Sequence, residues 1–232
     1  TWLNDAGTVL FTTDETADSY LASYDITDLN NIRELDRFQL TPGSQSIVHN
    51  THILNYFAVT SWYKDGVSIT DVSRPDNIIP VGRFDTYAQG SGNGFNGCWG
   101  VYPFLPSGTV VASDIDNGLY VLTPNYVRGC YLEGIVVDSI TGTPLNNATV
   151  QVLTTTMNEV TGLDGVFKTG TVTPGTVTVQ VSRSGYITKT IPNVQLVNGQ
   201  LTNLTVELAS FNTFVASGQV VNAVTGLPVA GA

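Results

Sequence analysis

The sequence predicts an all-β protein, a partial β-propeller of about three blades followed by a β-sandwich. Charged residues make up only 12% of the 232 residues, about half of the usual ~25%. Thr, Asn, Ser and Gly supply the polarity beside Val, Ile and Tyr, and these residues favour strands and turns. The N-terminal half repeats a hairpin pattern, and the C-terminal half alternates short apolar-polar runs with turn signals.

The repeat in the N-terminal half contains a β-hairpin. The stretch FAVTSWYKDGVSITD (57–71) aligns with TVVASDIDNGLYVLT (109–123), and Gly66 aligns with Gly118. Each copy has a strand, a turn with Asp or Asn before glycine, and a second strand. The shorter stretch LASYD (21–25) matches the end of both hairpins. The sequence therefore predicts three copies of one supersecondary unit.

The segments that follow the first two hairpins also align. DITDLNNIRELDRF begins at Asp25 and DVSRPDNIIPVGRF at Asp71, and both end in a predicted strand with Arg-Phe. Four short strands in a repeat of about 40–50 residues are typical of a β-propeller blade. The glycine-rich stretch YAQGSGNGFNG (87–97) lengthens the third copy. Three copies are too few to close a propeller, so we expect further blades before residue 1 or in another chain.

These motifs resemble the LVIVD repeat of bacterial surface proteins of the choice-of-anchor B type. The resemblance covers about residues 1–124. It is most specific in HN (49–50), DGVSITDVSRPDN (65–77) and GCWGVYPFLPSG with SDIDNGLYVL (97–122). It implies a secreted or cell-surface propeller, followed by sorting or adhesive modules, and brings no established catalytic residues. We place this propeller part at residues 1–126.

Residues 127–210 predict a small β-sandwich of about seven strands. Turn signals separate short alternating runs, as in a sandwich. Val177, Val179 and Val181 alternate with polar residues and are expected to point into the core. Gly165 is expected to take a positive φ in a tight turn before Phe167 packs inward.

The motifs between 131 and 209 resemble the carboxypeptidase regulatory-like domain. They include Asp138, Thr141-Gly142, Asp164-Gly165 and Gly185-Tyr186. The resemblance implies an immunoglobulin- or transthyretin-like sandwich that is an accessory domain and not a peptidase. The stretch GQVVNAVTGLPVAGA (218–232) matches GIVVDSITGTPLNNA (134–148). We therefore expect residues 211–232 to begin a second, truncated sandwich, and the sequence to be a fragment of a longer protein.

His49 and His52 are the only histidines in the chain. If both lie in one strand, their side chains point to opposite faces, so we predict no metal site there. Asp114 and Asp116 resemble the start of a calcium loop, but Pro124 stands where its glutamate would be. This stretch predicts a hairpin turn, and no cofactor is expected.

The candidate binding residues are His49, Trp62 and Trp99. The resemblance places His49 near the start of the innermost strand of a blade, where it lines the central channel or bonds to a neighbouring blade. Trp62 and Trp99 belong with Tyr63, Tyr102 and Phe104 to an aromatic set large enough to form a glycan-binding platform, although core and inter-blade packing also explains such residues. The ligand is expected to be a protein or a glycan.

Cys98 and Cys130 lie 32 residues apart and outside any CxxC motif. They form either a disulfide, if the protein is extracellular, or two buried thiols. Nine basic residues against nineteen acidic ones argue against nucleic-acid binding, which needs clustered Lys and Arg. No apolar run is long enough to span a membrane.

These observations predict a non-enzymatic bacterial protein that is secreted or attached to the cell surface. The propeller would bind a partner, as in adhesion, and the sandwich domains would serve as stalk or spacer. Two alternatives remain open. One is an extracellular hydrolase with its site in the propeller channel, and the other is a filament or matrix component that self-assembles through its sandwich domains.

Overall fold

The computed structural model describes residues 1–211 and 218–229, and in these ranges its regular secondary structure is entirely β-strand. The predicted all-β class is confirmed. No helix that could cross a membrane occurs in the described ranges. Residues 1–122 contain eleven strands: β1 (Trp2–Leu3), β2 (Val9–Thr13), β3 (Leu21–Asp25), β4 (Arg33–Phe38), β5 (Thr51–Leu54), β6 (Phe57–Ser61), β7 (Val67–Asp71), β8 (Ile79–Phe84), β9 (Cys98–Tyr102), β10 (Val110–Asp114) and β11 (Gly118–Leu122).

These strands form three antiparallel meanders, sheets in which consecutive strands are neighbours. The first meander is β1-β2-β3-β4, the second is β5-β6-β7-β8, and the third is β9-β10-β11. The predicted hairpins are β6–β7 and β10–β11. Gly66 turns the first of them with φ +77°, and a Cβ there would lie 2.2 Å from the Phe84 carbonyl oxygen. Only glycine fits this turn.

The meanders stack face to face. Phe11 and Leu21 of the first pack against Ala58 and other apolar residues of the second. Val67 of the second packs against Ala112 and its neighbours in the third. The first strands converge, since β5 contacts both β1 and β9. The three described meanders do not close into a ring, so the propeller remains a prediction.

Residues 130–208 form a two-sheet sandwich with the seven strands that the turn spacing predicts: β12 (Cys130–Asp138), β13 (Thr149–Val152), β14 (Asn158–Val160), β15 (Val166–Thr171), β16 (Gly175–Ser182), β17 (Lys189–Leu196) and β18 (Leu201–Leu208). One sheet has the order β15-β12-β18 and the other β14-β13-β16-β17. Val179 and Val181 are fully buried and Val177 partly. Gly165 has φ +74° and Phe167 is buried, so these predictions are confirmed.

The expected second sandwich at 211–232 is described only in part. A bridge closes the turn at 221–228, as another closes the turn at 137–144. Asn222 and Asp138 each accept hydrogen bonds from the backbone N–H groups two and three residues later. The matching sequences thus form the same local turn. The remaining residues of this predicted domain lie outside the described ranges.

A polar interface joins the second meander to the sandwich. Glu133 on β12 accepts two hydrogen bonds from Arg74, at 2.7 and 2.8 Å, and one from Asn77 at 3.1 Å. Asp71, at the end of β7, accepts hydrogen bonds from the Arg128 Nε at 2.7 Å and the Gly129 N–H at 2.8 Å. Burial would raise the pKa of Asp71, but its hydrogen bonds outweigh burial and lower the pKa. The interface therefore holds a buried, ionised carboxylate.

Candidate ligand-binding surface

Aromatic side chains gather where the first strands of the three meanders converge. One group, the His52 cluster, consists of Trp2 on β1, His52 on β5, and Tyr102 and Phe104 at and after the end of β9. The Trp2 ring lies 4.7 Å from that of His52 and 5.4 Å from that of Phe104. The rings of Tyr102 and Phe104 are 5.4 Å apart, nearly edge to face. These distances are typical of favourable aromatic pairs.

A second group, the His49 cluster, consists of Glu15, His49, Tyr63, Phe95 and Trp99. The His49 ring lies 5.0 Å from the Trp99 ring and 5.4 Å from the Tyr63 ring. Phe95, from the glycine-rich insert, packs edge-on against Tyr63 at 5.2 Å. The Nε2 atom of His49 is 3.7 Å from Glu15 Oε1. His49 thus contacts both neighbouring meanders.

The position of Trp99 follows from the local backbone. Ser113 pairs with Gly100 and Asp114 with Cys98, so Trp99 is the extra residue of a β-bulge. A bulge re-aims the side chain of the strand that carries it. Next to it, the N–H groups of Tyr63 and Cys98 each donate to the other residue's carbonyl, at 3.0 and 2.8 Å. This backbone pair fixes the spacing of the second and third meanders beside the bulge.

The electrostatics of the two clusters differ. The Tyr63 hydroxyl donates to the Glu15 carboxylate, and burial, with that carboxylate, raises the pKa of Tyr63. Burial lowers the pKa of His52, so this imidazole is neutral at pH 7. The Nδ1 atoms of His49 and His52 are buried and have no hydrogen-bond partner within the described ranges. The surface therefore combines aromatic faces with the Glu15 carboxylate, and the two Nδ1 atoms lie beneath it.

Two of the three predicted binding residues lie on this surface and one does not. His49 and Trp99 contact each other, and Trp99 is 53% exposed. Trp62 is fully buried between the first and second meanders, where its indole N–H donates to Ser68 Oγ at 2.8 Å. Its ring meets Phe38 edge to face. Trp62 is therefore a core residue that a ligand cannot contact, because its side chain fills the space between two sheets.

The possible disulfide is absent from the structure. Cys98 is buried between the second and third meanders, whereas Cys130 is buried in the sandwich core. Both thiols are free. They lie in separate hydrophobic clusters and cannot approach without dismantling one of them. Burial raises the pKa of Cys98 to about 12, which makes it an unreactive structural thiol.

The stretch around Asp114 forms the predicted hairpin turn. Asp114 Oδ1 accepts the N–H groups of Asp116 and Asn117 at 2.9 and 2.8 Å, and Asp116 accepts the Gly97 N–H at 2.8 Å. Both carboxylates are used to hold local turns. In the part of the chain that the structure describes, no three His, Cys, Asp or Glu side chains are grouped as metal ligands.

One family model matches the sequence of the sandwich. Residues 131–209 match the carboxypeptidase regulatory-like domain. The match covers less than half of the chain, and it coincides with strands β12 to β18. We refer to this unit as the regulatory-like sandwich. No curated protein sequence matches the chain.

Three solved structures share partial similarity with the chain. A type II cohesin–X–dockerin complex from Acetivibrio cellulolyticus is 28% identical over 34% of this chain and 53% of that chain, with a TM-score of 0.29. A minor pilin of Streptococcus agalactiae is 12% identical over 51% of this chain and 66% of that chain, with a TM-score of 0.31. The pilus 2b backbone protein of group B streptococcus is 14% identical over 90% of this chain and 83% of that chain, with a TM-score of 0.29. These TM-scores are too low to establish a shared fold.

Sequence reasoning missed four members of the surface, namely Trp2, Glu15, His52 and Phe95, as binding residues. The sequence signal that could have identified these residues was the repeat itself. His52 lies on the first strand of its meander, and Trp2 lies on the corresponding strand of the first meander, which no aligned motif identified. All members of both clusters come from the meanders. The regulatory-like sandwich contributes none of them.

Proposed function

We propose that this chain belongs to a non-enzymatic, secreted or cell-surface bacterial protein. In this proposal the meanders of residues 1–126 are blades of a β-propeller that binds a glycan. The regulatory-like sandwich at 127–210 and a second one starting at 211 form a stalk. The observation that carries the proposal is the exposed aromatic surface at the converging first strands, where Trp2, Trp99 and Tyr102 are 39, 53 and 46% exposed.

The stacking of the meanders supports a propeller with further blades. In the second meander, Val67 and Ile69 face the third meander and pack against it. The aligned residues of the third meander are Leu119 and Val121, which are 69 and 66% exposed. An apolar sheet face of this kind is normally covered. A further blade, stacked as the second and third are, would cover it.

The chemistry of the surface favours a carbohydrate over other ligands. Sugar rings present apolar C–H faces that pack on aromatic rings, and hydroxyl groups that bond to carboxylates and imidazoles. Trp99 and Trp2 offer the rings, and Glu15, whose side chain is 48% exposed, offers the polar partner. The net charge of -10 opposes binding of nucleic acids and other polyanions.

The test is a titration with cello-, xylo-, manno- and chito-oligosaccharides, followed by tryptophan fluorescence. Trp62 is buried and gives a constant background, whereas Trp2 and Trp99 report the surface. We expect saturable binding to one series and at least a tenfold weaker Kd for Trp99→Ala, the equivalent of about 1.4 kcal/mol. The control is Tyr56→Ala, an exposed aromatic residue outside both clusters. No binding at millimolar concentrations, or equal binding by Trp99→Ala, refutes the proposal.

The hydrolase alternative has one supporting contact, the 3.7 Å approach of His49 Nε2 to Glu15 Oε1. Such a pair can act as a general base. Release of reducing ends from the same oligosaccharides, abolished by Glu15→Gln, would favour the enzyme. The filament alternative involves strand exchange by residues 211–232. Concentration-dependent polymers in light scattering, lost on deletion of these residues, would favour it.

A further inference from the structure

In the part of the chain that the structure describes, the third meander has one strand fewer than the other two. In the first and second meanders, β4 pairs with β3 and β8 with β7. In the third, β11 pairs only with β10 on one side. The chain that follows β11 leads to β12 of the sandwich instead. Among the described residues, the outer edge of β11 therefore presents backbone N–H and C=O groups without strand partners, and such an edge is a template for strand addition.

The two fourth strands are built alike. β4 and β8 pair antiparallel with their neighbours in the same register, and each carries one bulge. Both strands end in Arg-Phe, and both are preceded by Asn-Ile. Phe38 packs edge-on against Trp62 of the next meander at 5.9 Å, and Phe84 against Tyr120 at 5.7 Å. The two fourth strands therefore share one register, one bulge position and one aromatic contact with the next meander, and we expect the same of any strand that pairs with β11.

A cavity of about 370 Å³ lies beside β11. It is lined by residues of the second and third meanders, among them Val67, Ile69, Gly82 and Leu122, and by Thr123 to Asn125 of the chain that follows β11. Its walls are more apolar than polar.

The corresponding space between the first and second meanders is filled. Leu21 and Ser23 align with Val67 and Ile69. Leu21 is in the same buried cluster as Ile78, which directly precedes β8, and Ser23 Oγ donates to the Pro75 carbonyl oxygen at 2.5 Å. The fourth strand and its leading loop therefore fill this position in one interface. In the other interface the chain after β11 only lines the cavity, at Thr123, Pro124 and Asn125.

We propose that the cavity beside β11 binds an extended strand of a partner polypeptide. The strand pairs antiparallel with β11 and inserts an isoleucine, equivalent to Ile78, between the second and third meanders. It follows the pattern Asn-Ile followed, five residues on, by Arg-Phe, which this chain uses twice. The net charge of -10 favours a strand without acidic residues, as in β8. Backbone hydrogen bonds give the affinity and the isoleucine gives the selectivity.

The probe is an acetylated and amidated peptide, NIIPVGRF, which is the sequence of residues 77–84. It is labelled at its N-terminus and titrated with the 232-residue chain by fluorescence anisotropy. The control peptide is NDIPVGRF, in which the buried isoleucine is aspartate. We expect saturable binding of the first peptide and at least a tenfold weaker Kd for the second, because an ionised side chain cannot enter the apolar cavity.

The protein variant that tests the site is Gly82→Gln. A Cβ at Gly82 would lie 3.7 Å from its closest neighbour, a Cβ atom of Ile69, so the substitution fits the fold, and a longer side chain fills the cavity. The matched control is Gly218→Gln, where a Cβ meets no atom of the described residues within 4 Å. We expect Gly82→Gln to weaken peptide binding at least tenfold and Gly218→Gln to leave it unchanged.

Hydrogen exchange locates the bound peptide. Amides of residues 118–122 on β11 are expected to exchange at least tenfold more slowly with saturating peptide, while those of the sandwich are unaffected. Equal binding of the two peptides, equal binding by Gly82→Gln, or unchanged exchange in β11 each overturns the proposal. The oligosaccharide site lies at the first strands and β11 is the outermost strand of its sheet. Failure of the peptide-binding proposal would therefore leave the oligosaccharide proposal unaffected, and the reverse also holds.

Discussion

Glu133 offers a direct test of how firmly the second meander is joined to the regulatory-like sandwich. Its carboxylate makes all its side-chain hydrogen bonds across the interface, to Arg74 and Asn77. We expect Glu133→Ala to destabilise the chain and to uncouple the unfolding of its two parts. Glu133→Gln keeps the shape of the side chain and one hydrogen-bond acceptor oxygen, so we expect it to destabilise the chain less than Glu133→Ala does.

The magnitude follows from burial. The Glu133 side chain is 11% exposed and the Arg74 side chain 34%. Losing one partner of a buried ion pair costs about 3–5 kcal/mol, but Arg74 keeps some access to water, which reduces that figure. Asn77 is buried, and its amide keeps a second bond to the Thr169 carbonyl oxygen. We expect a loss of about 2–4 kcal/mol, or roughly 5–15 °C in Tm for a chain of this size.

The chain provides separate probes for its two parts. All three tryptophans, Trp2, Trp62 and Trp99, lie in the meanders, so their fluorescence reports only those sheets. Far-UV circular dichroism reports all strands. We expect the two thermal transitions to coincide in the wild type and to separate in Glu133→Ala.

The matched control is Glu207→Ala on β18. Glu207 is exposed, lies on the strand next to β12, and has no side-chain hydrogen bond to any residue that the structure describes. It should change the free energy of unfolding by no more than about 0.5 kcal/mol. If Glu133→Ala lowers Tm no more than Glu207→Ala does, the ion pair does not hold the interface and the reasoning fails.

Three further predictions concern single positions. Gly66→Ala should lower the free energy of unfolding, measured in urea, by at least about 3 kcal/mol, because the new Cβ meets a backbone oxygen at 2.2 Å. Gly118→Ala, where the Cβ enters open space, should lower it by about 1–2 kcal/mol. Equal losses of stability in the two variants would contradict this prediction. The lowered pKa of Asp71 implies stability that is present above its ordinary value of 3.8 and lost as the pH falls through the folded value. The difference in unfolding free energy between wild type and Asp71→Asn should therefore shrink between pH 5 and pH 2.5, and a constant difference would argue against it. Cys98 and Cys130 should not react with a thiol reagent at pH 8 in the folded chain, and two thiols should react in urea without reductant; fewer than two would indicate a disulfide.

Much of the fold was predictable from the sequence because it depends on local residue patterns. Glycine at 66, 118 and 165 marks turns with positive φ, and alternation along β16 separates buried from exposed residues. These patterns depend on neighbours in sequence, so they predicted the hairpins and the seven sandwich strands. The binding residues depended on long-range packing. Trp62 and Trp99 look equivalent in sequence, yet one fills a space between sheets and the other stands on a bulge.

The sequence by itself determined the all-β class, the hairpin repeat and the match of residues 131–209 to a known domain, because strand alternation and turn chemistry are local properties. Only the tertiary structure decided which aromatic residues share a surface, that Cys98 and Cys130 lie in separate cores, and that the edge of β11 is open. These features depend on which sheets stack against each other. Stacking is set by the combined shape of many side chains that lie far apart in sequence.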